Sequence, residues 1–208
     1  MTSLFSRRAA VLAALLATSI VAVTLAGKTQ AQQSPSDGPR YTSDGQLMLP
    51  TGFETWVFVG SNLGLSYKQE LAAMTAKEAA RANPQQFHNV YLSSSAYAYF
   101  LANGSFPDKT VLVMQVFAAN GAEPKNILAN GVFNGARAGL EVAVKNTNRP
   151  DGKTTPWAYY DFTDPSDPTK TLPTATAFRD EDCESCHRAH ASLDNVWVQF
   201  YPTLRDRK

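Results

Sequence analysis

The stretch "KTVLVMQVFAA", residues 109–119, is the strongest strand signal in the chain: β-branched and long apolar residues follow one another with no glycine or proline. Successive residues of a strand point to opposite faces. Thr110, Leu112, Met114 and Val116 therefore share one face, and Val111, Val113, Gln115 and Phe117 share the other. Working outward, "GLEVAVKN" (139–146) alternates, with Leu140, Val142 and Val144 on one side and Glu141 and Lys145 on the other. That pattern predicts a half-buried strand. "FHNVYL" (87–92), "PWAYYDF" (156–162) and "ETWVFVG" (54–60), the last closed by Gly60, read as further strands. Two segments read as helices. Residues 67–83 are rich in helix formers and stop before Pro84, and residues 93–104 run from capping serines to an Asn103–Gly104 stop. Residues 163–175, rich in Pro, Thr and Asp, read as loop. No βαβ alternation and no repeat is visible. The fold class expected is α+β, mainly antiparallel sheet with a few helices.

The two ends of the chain frame this core differently. Arg7 and Arg8 precede an apolar run, Ala9 to Ala26, and "TQA" ends at Ala31. This is the layout of an export signal over residues 1–31, with an uncleaved anchor as the rival reading. Thr18, Ser19 and Thr24 interrupt the run and favour cleavage. Residues 32–46 are polar and rich in Ser, Pro, Gly and Asp, as in a flexible lead. One domain, residues 47–208, follows. The mature protein is expected to be soluble and periplasmic. The 208 residues carry 19 basic and 18 acidic side chains, net +1, and this balance argues against nucleic acid as the main partner.

Both cysteines and two of the three histidines fall in "CESCHRAH", residues 183–190. Cys183, Cys186 and His187 spell C-x-x-C-H, the spacing of covalent haem attachment: two thiols add to the vinyl groups and the adjacent imidazole becomes the proximal ligand. Three other readings compete. Zinc could use Cys183, Cys186, His187 and His190, but structural zinc sites usually take two ligand pairs divided by a spacer. A thioredoxin-like disulfide expects a neighbouring βαβ unit. Chance is the third, and export with no other cysteine weakens it. His190 reads as an exposed or surrounding residue, and His88 as a half-buried one that could in principle reach the iron. Asp180, Glu181, Asp182 and Glu184 read as a solvated helix start. An ordinary small cytochrome c is mostly helical with this motif near its N-terminus; here both features are reversed.

"LPTGFETWVFVG", "NVYLSSSAYAYFLANGSFPDKTVLVM", "GLEVAVKN", "WAYYDF" and "CESCHRAHASLDNVWVQFYPTLR" together resemble the cytochrome P-460 family, which includes the cytochromes c′-beta, from about residue 47 to 205. The resemblance implies a β-rich domain with one covalent haem c, in the periplasm and often a homodimer. Cys183 and Cys186 match its thioether cysteines, and His187 its proximal iron ligand. It also implies one of two activities: hydroxylamine oxidation, in members with a lysine cross-linked to the haem, or binding of gases such as nitric oxide. The cross-linking position aligns with Met114, and Lys109 falls outside that register, so the cross-link is expected to be absent. Met114 either ligates the iron as a soft thioether, which favours electron transfer, or packs on the porphyrin. Phe58, Phe100 and Phe133 either line the pocket or belong to the core. The leading expectation is electron transfer with a redox partner protein. A gas-binding protein and a haem oxidoreductase acting on a nitrogen compound are the alternatives; no catalytic residue is assigned.

Overall fold

The computed structural model describes residues 37–65, 85–121, 127 and 130–206. The expected export signal, the first part of the expected lead and the helix expected over 67–83 lie outside the described residues. The centre is a five-stranded antiparallel sheet in sequence order: β2 (Val57–Leu63), β3 (Gln86–Leu92), β4 (Val111–Gly121), β5 (Val132–Lys145) and β6 (Trp157–Asp161). Short pairs flank it: β1 (Leu47–Met48) with β9 (Thr174–Ala175), and β7 (Thr163–Asp164) with β8 (Asp167–Thr171). Helices α1 (Ser94–Asn103), α2 (Glu184–His190) and α3 (Pro202–Arg205) complete the described elements with two 3₁₀ turns, Phe53–Thr55 and Val198–Phe200. This is the α+β, mainly antiparallel architecture expected from the strand pattern.

Each face of the sheet carries its own core. One buries Val111, Val113, Leu140, Val142 and Val144 beneath residues 47–53 and Ala175. The other buries Val59, Val90, Leu92, Leu112, Trp157 and Tyr159 beneath α1 and the C-terminal segment from Val196 to Leu204. The alternation read in 109–119 and 139–146 is therefore the alternation between two cores. Glu141 is exposed, as the half-buried strand reading expects, whereas Lys145 is partly covered, its Nζ donating to Phe106 O and to Asp194. Both residues share the side of Ala143, which packs against the second core.

Several boundaries differ from expectation for identifiable reasons. Gly60 does not end β2. A Cβ there would lie 3.2 Å from Tyr201 Cδ1 and 3.3 Å from Pro202 Cδ, so the glycine admits the C-terminal segment to the sheet. The hairpin β7–β8 and strand β9 occupy the stretch read as loop, because Asp164 and Asp167 accept hydrogen bonds from Ser166 and Thr169 that fold the turns. Ser93 makes no side-chain cap on α1. Asp37 does this instead, accepting from Ser95 N at 2.7 Å and from its hydroxyl. Residues 40–48 also double back, with Met48 N donating to Arg40 O at 2.8 Å. The C-terminal stop of α1 follows the sequence: Gly104 is left-handed at φ 66° and donates to Phe100 O.

Candidate functional site

Cys183 stands at the N-terminal boundary of α2, and Cys186 and His187 lie one turn further on. Residues three and four apart share a helix face, so both thiols and the imidazole are presented together. All three are partly buried and the thiols are unbridged. Cys183 packs against the same core as Met114 and Trp197.

The hydrogen bonds of His187 define its tautomer. Nδ1 lies 2.9 Å from the carbonyl oxygen of Asn195, which can only accept, so Nδ1 carries the proton. Nε2 accepts from the indole N–H of Trp197 at 3.2 Å, so it holds the lone pair. Tyr159 lies against the ring at 4.4 Å between centroids, tilted by 43°, and Trp197 meets it edge-on at 5.2 Å. Burial lowers the imidazole pKa, opposed by the Asn195 carbonyl and Glu184. A neutral imidazole with its lone pair on Nε2 is the form that binds a transition metal.

Met114 sits across the sheet from Val90 on one side and Glu141 on the other, and Glu141 in turn pairs with Asp161. The structure thus brings Met114, partly buried, to the core against which Cys183 packs. Val116, two residues along, is nearly fully buried on the same strand face. Lys109 precedes β4 in a left-handed conformation, φ 64°, outside the strand register. His88 shares the face of Val90, and its Nδ1 is buried without a partner. His190 is exposed. Phe100 is buried and stacks on Phe106, while Phe58 lies on the opposite face against Tyr91 and Phe133 is 41% exposed.

Sequence reasoning missed Glu184 and Glu141. Glu184 is not part of a solvated helix start: it is 3% exposed, with Asn195 Nδ2 donating to it at 3.2 Å and Arg188 at 3.5 Å. Of the other acids of that cluster, Glu181 and Asp182 are exposed, Asp182 paired with Arg179, while Asp180 is half-buried against Lys153 and Thr155. Glu141 is reached by solvent yet hemmed in by protein. Desolvation, with Asp161 beside it, pushes its pKa from 4.5 up to about 7. Native Glu141 therefore keeps a proton that the unfolded chain has lost between those values, and its contribution to stability falls as pH rises through that window. Partly buried His88 and His187, whose pKa values are lowered by desolvation, act in the opposite sense below 6.5. The informative quantity is the difference between wild type and Glu141→Gln. From pH 5 to 8 the thermal midpoint of wild type should fall relative to that of the variant, and parallel curves would refute the assignment.

These residues fit a covalently held haem better than the rival sites. Burial, then the nearby Glu141, Asp182 and Cys186, push the Cys183 thiol up to about 11, the reverse of the low-pKa thiolate of a redox C-x-x-C. Among the described residues no group of three or more His, Cys, Asp and Glu side chains is arranged to hold a metal ion by itself. Haem iron asks less of the chain: one imidazole lone pair and, for attachment, two accessible thiols on one helix face. Both are present. A comparison with curated proteins finds no match. The family model described as Cytochrome P460 matches residues 50–198, well over half of the chain and every strand of the central sheet. With that match and this arrangement of donors, the chain belongs to the cytochrome P460 family of haem-binding cytochromes.

Proposed function

We propose that this protein is an exported, periplasmic cytochrome with one haem c, without a lysine cross-link, working in electron transfer with a redox partner protein. Cys183 and Cys186 would hold the porphyrin through thioethers, and His187 would hold the iron through Nε2. When bound, the haem supplies an iron centre able to exchange one electron. The rest belongs to the chain: the Asn195 carbonyl orients the imidazole through Nδ1, the Trp197 N–H occupies the Nε2 lone pair that iron would take over, and Met114 places a thioether between Val90 and Glu141 on its sheet face. The observation that carries the reading is the tautomer of His187, with Nδ1–H held by the Asn195 carbonyl and the Nε2 lone pair, taken here by the Trp197 N–H that iron would displace, beside two unbridged thiols.

Met114 decides between electron transfer and small-molecule chemistry. As a sixth ligand it closes the iron to exogenous molecules and raises the reduction potential. The purified protein should then show a six-coordinate, low-spin absorption spectrum with a methionine-to-iron charge-transfer band, and Met114→Ala should abolish that band. A high-spin spectrum that responds readily to nitric oxide would overturn the electron-transfer reading in favour of gas binding. The apolar neighbours Val90 and Val116 on the face of Met114 favour that second reading. A red-shifted band typical of a cross-linked haem would support a hydroxylamine-oxidising enzyme instead.

A further inference from the structure

The loop after α2 contains an unusual pair. Asp194 and Asn195 both have left-handed backbone, φ 46° and 58°, a conformation that Asp and Asn accept more readily than other residues with a Cβ. Their side chains are tied to different parts of the fold. Asp194 accepts from Lys145 Nζ on β5 at 2.6 Å and from Trp157 Nε1 on β6 at 3.1 Å. The Asn195 amide donates to Glu184 on α2 at 3.2 Å. Held from both sides, the turn directs the Asn195 carbonyl at His187 Nδ1, and the Tyr159 hydroxyl reaches the same oxygen at 3.5 Å. A carboxyl group as buried as Glu184 is costly unless its hydrogen bonds and charge are matched. Its matches here are Arg188 and the amide that steers the histidine's partner.

We propose that Glu184 and Asn195 are positioning residues for His187: Glu184 anchors the Asn195 side chain, and the Asn195 carbonyl holds Nδ1–H so that Nε2 is offered to haem iron in one orientation with raised basicity. The inference rests on His187 being the iron ligand. A hydrogen bond at Nδ1 makes the imidazole a stronger donor and favours ferric iron, and the Glu184 charge behind it acts in the same direction. Together they lower the reduction potential.

The test uses the haem-loaded protein. Glu184→Gln keeps the shape and removes the charge. Asn195→Gly keeps the left-handed backbone and removes only the anchored amide. Both should retain haem, raise the midpoint potential in a redox titration and lower the iron–histidine stretching frequency of the ferrous protein, read in a Met114→Ala background. A potential and frequency equal to wild type in the variants would overturn the proposal. Should Glu184→Gln fail to fold, Asn195→Gly decides by the same readouts. A wild type that carries no haem, or a His187→Ala variant with an unchanged ligation spectrum, would instead bring down the reading of His187 as ligand, and the proposal with it.

Discussion

Replacing Cys183 and Cys186 together by alanine is expected to convert a protein that keeps its haem through denaturation into one that loses it completely. The effect is all-or-none because a thioether survives unfolding, whereas an axial bond to His187 does not. Wild type, expressed with the machinery for haem attachment and purified, should have a mass heavier by one haem and should stain for haem on a denaturing gel. Each single variant should retain the stain through its remaining thioether, because both thiols lie on the face of α2 that presents His187. The double variant should show the mass of the polypeptide alone. A wild-type protein with the polypeptide mass after such expression would refute covalent attachment and with it the c-type reading. Retention of haem by the double variant on a denaturing gel would place the attachment elsewhere.

The parts of this molecule legible in its sequence are those in which one residue type has one physical meaning. Val111 to Val116 can hardly be other than strand, and the left-handed stop at Gly104 follows from a glycine placed after a helical run. The C-x-x-C-H spacing is legible because it is local, with its three side chains within five residues, whereas the groups that bond His187, Asn195 and Trp197, are not part of that pattern. What could not be read depends on each residue's neighbours in space. Glu141 is the exposed residue its alternating strand suggests, but the pattern does not give its cross-strand neighbours, Met114 on β4 and Asp161 on β6. Glu184 looks like one acid among four, and only the return of the chain at Asp194–Asn195 distinguishes it from Asp182. The first half of β5, "VFNGARAG", carries two glycines and no alternation, so its pairing with β4 is set by its neighbour rather than by its own propensity. Val198 and Leu204 were not recognised as core because the two short helical turns that bear them span only three and four residues, too few for a periodic signal.

Trp157→Ala is expected to give the largest loss of stability of any single substitution considered, and to disturb the site from a distance. The side chain is wholly buried, packs edge-on against Phe106 at 6.4 Å, and donates through Nε1 to Asp194. Truncation removes a large apolar volume from a filled core, which costs roughly 3–5 kcal/mol. It also leaves Asp194 without one of its two donors. Trp157→Phe separates these effects. Most of the apolar volume remains, the N–H is lost, and Asp194 keeps the ion pair with Lys145, so the cost should be nearer ~1–2 kcal/mol. Denaturant unfolding of the haem-loaded proteins measures both, and nearly equal losses in the two variants would show that packing is not the dominant contribution. The Phe variant carries the further consequence. With Asp194 held only from β5, the left-handed turn loses one of its two anchors on the sheet, and the Asn195 carbonyl is less firmly directed at His187. Its reduction potential should therefore move in the same direction as that of Asn195→Gly, while its stability falls much less than that of Trp157→Ala. A tryptophan in the core of the sheet would then act on the iron through an aspartate, a turn and one carbonyl oxygen.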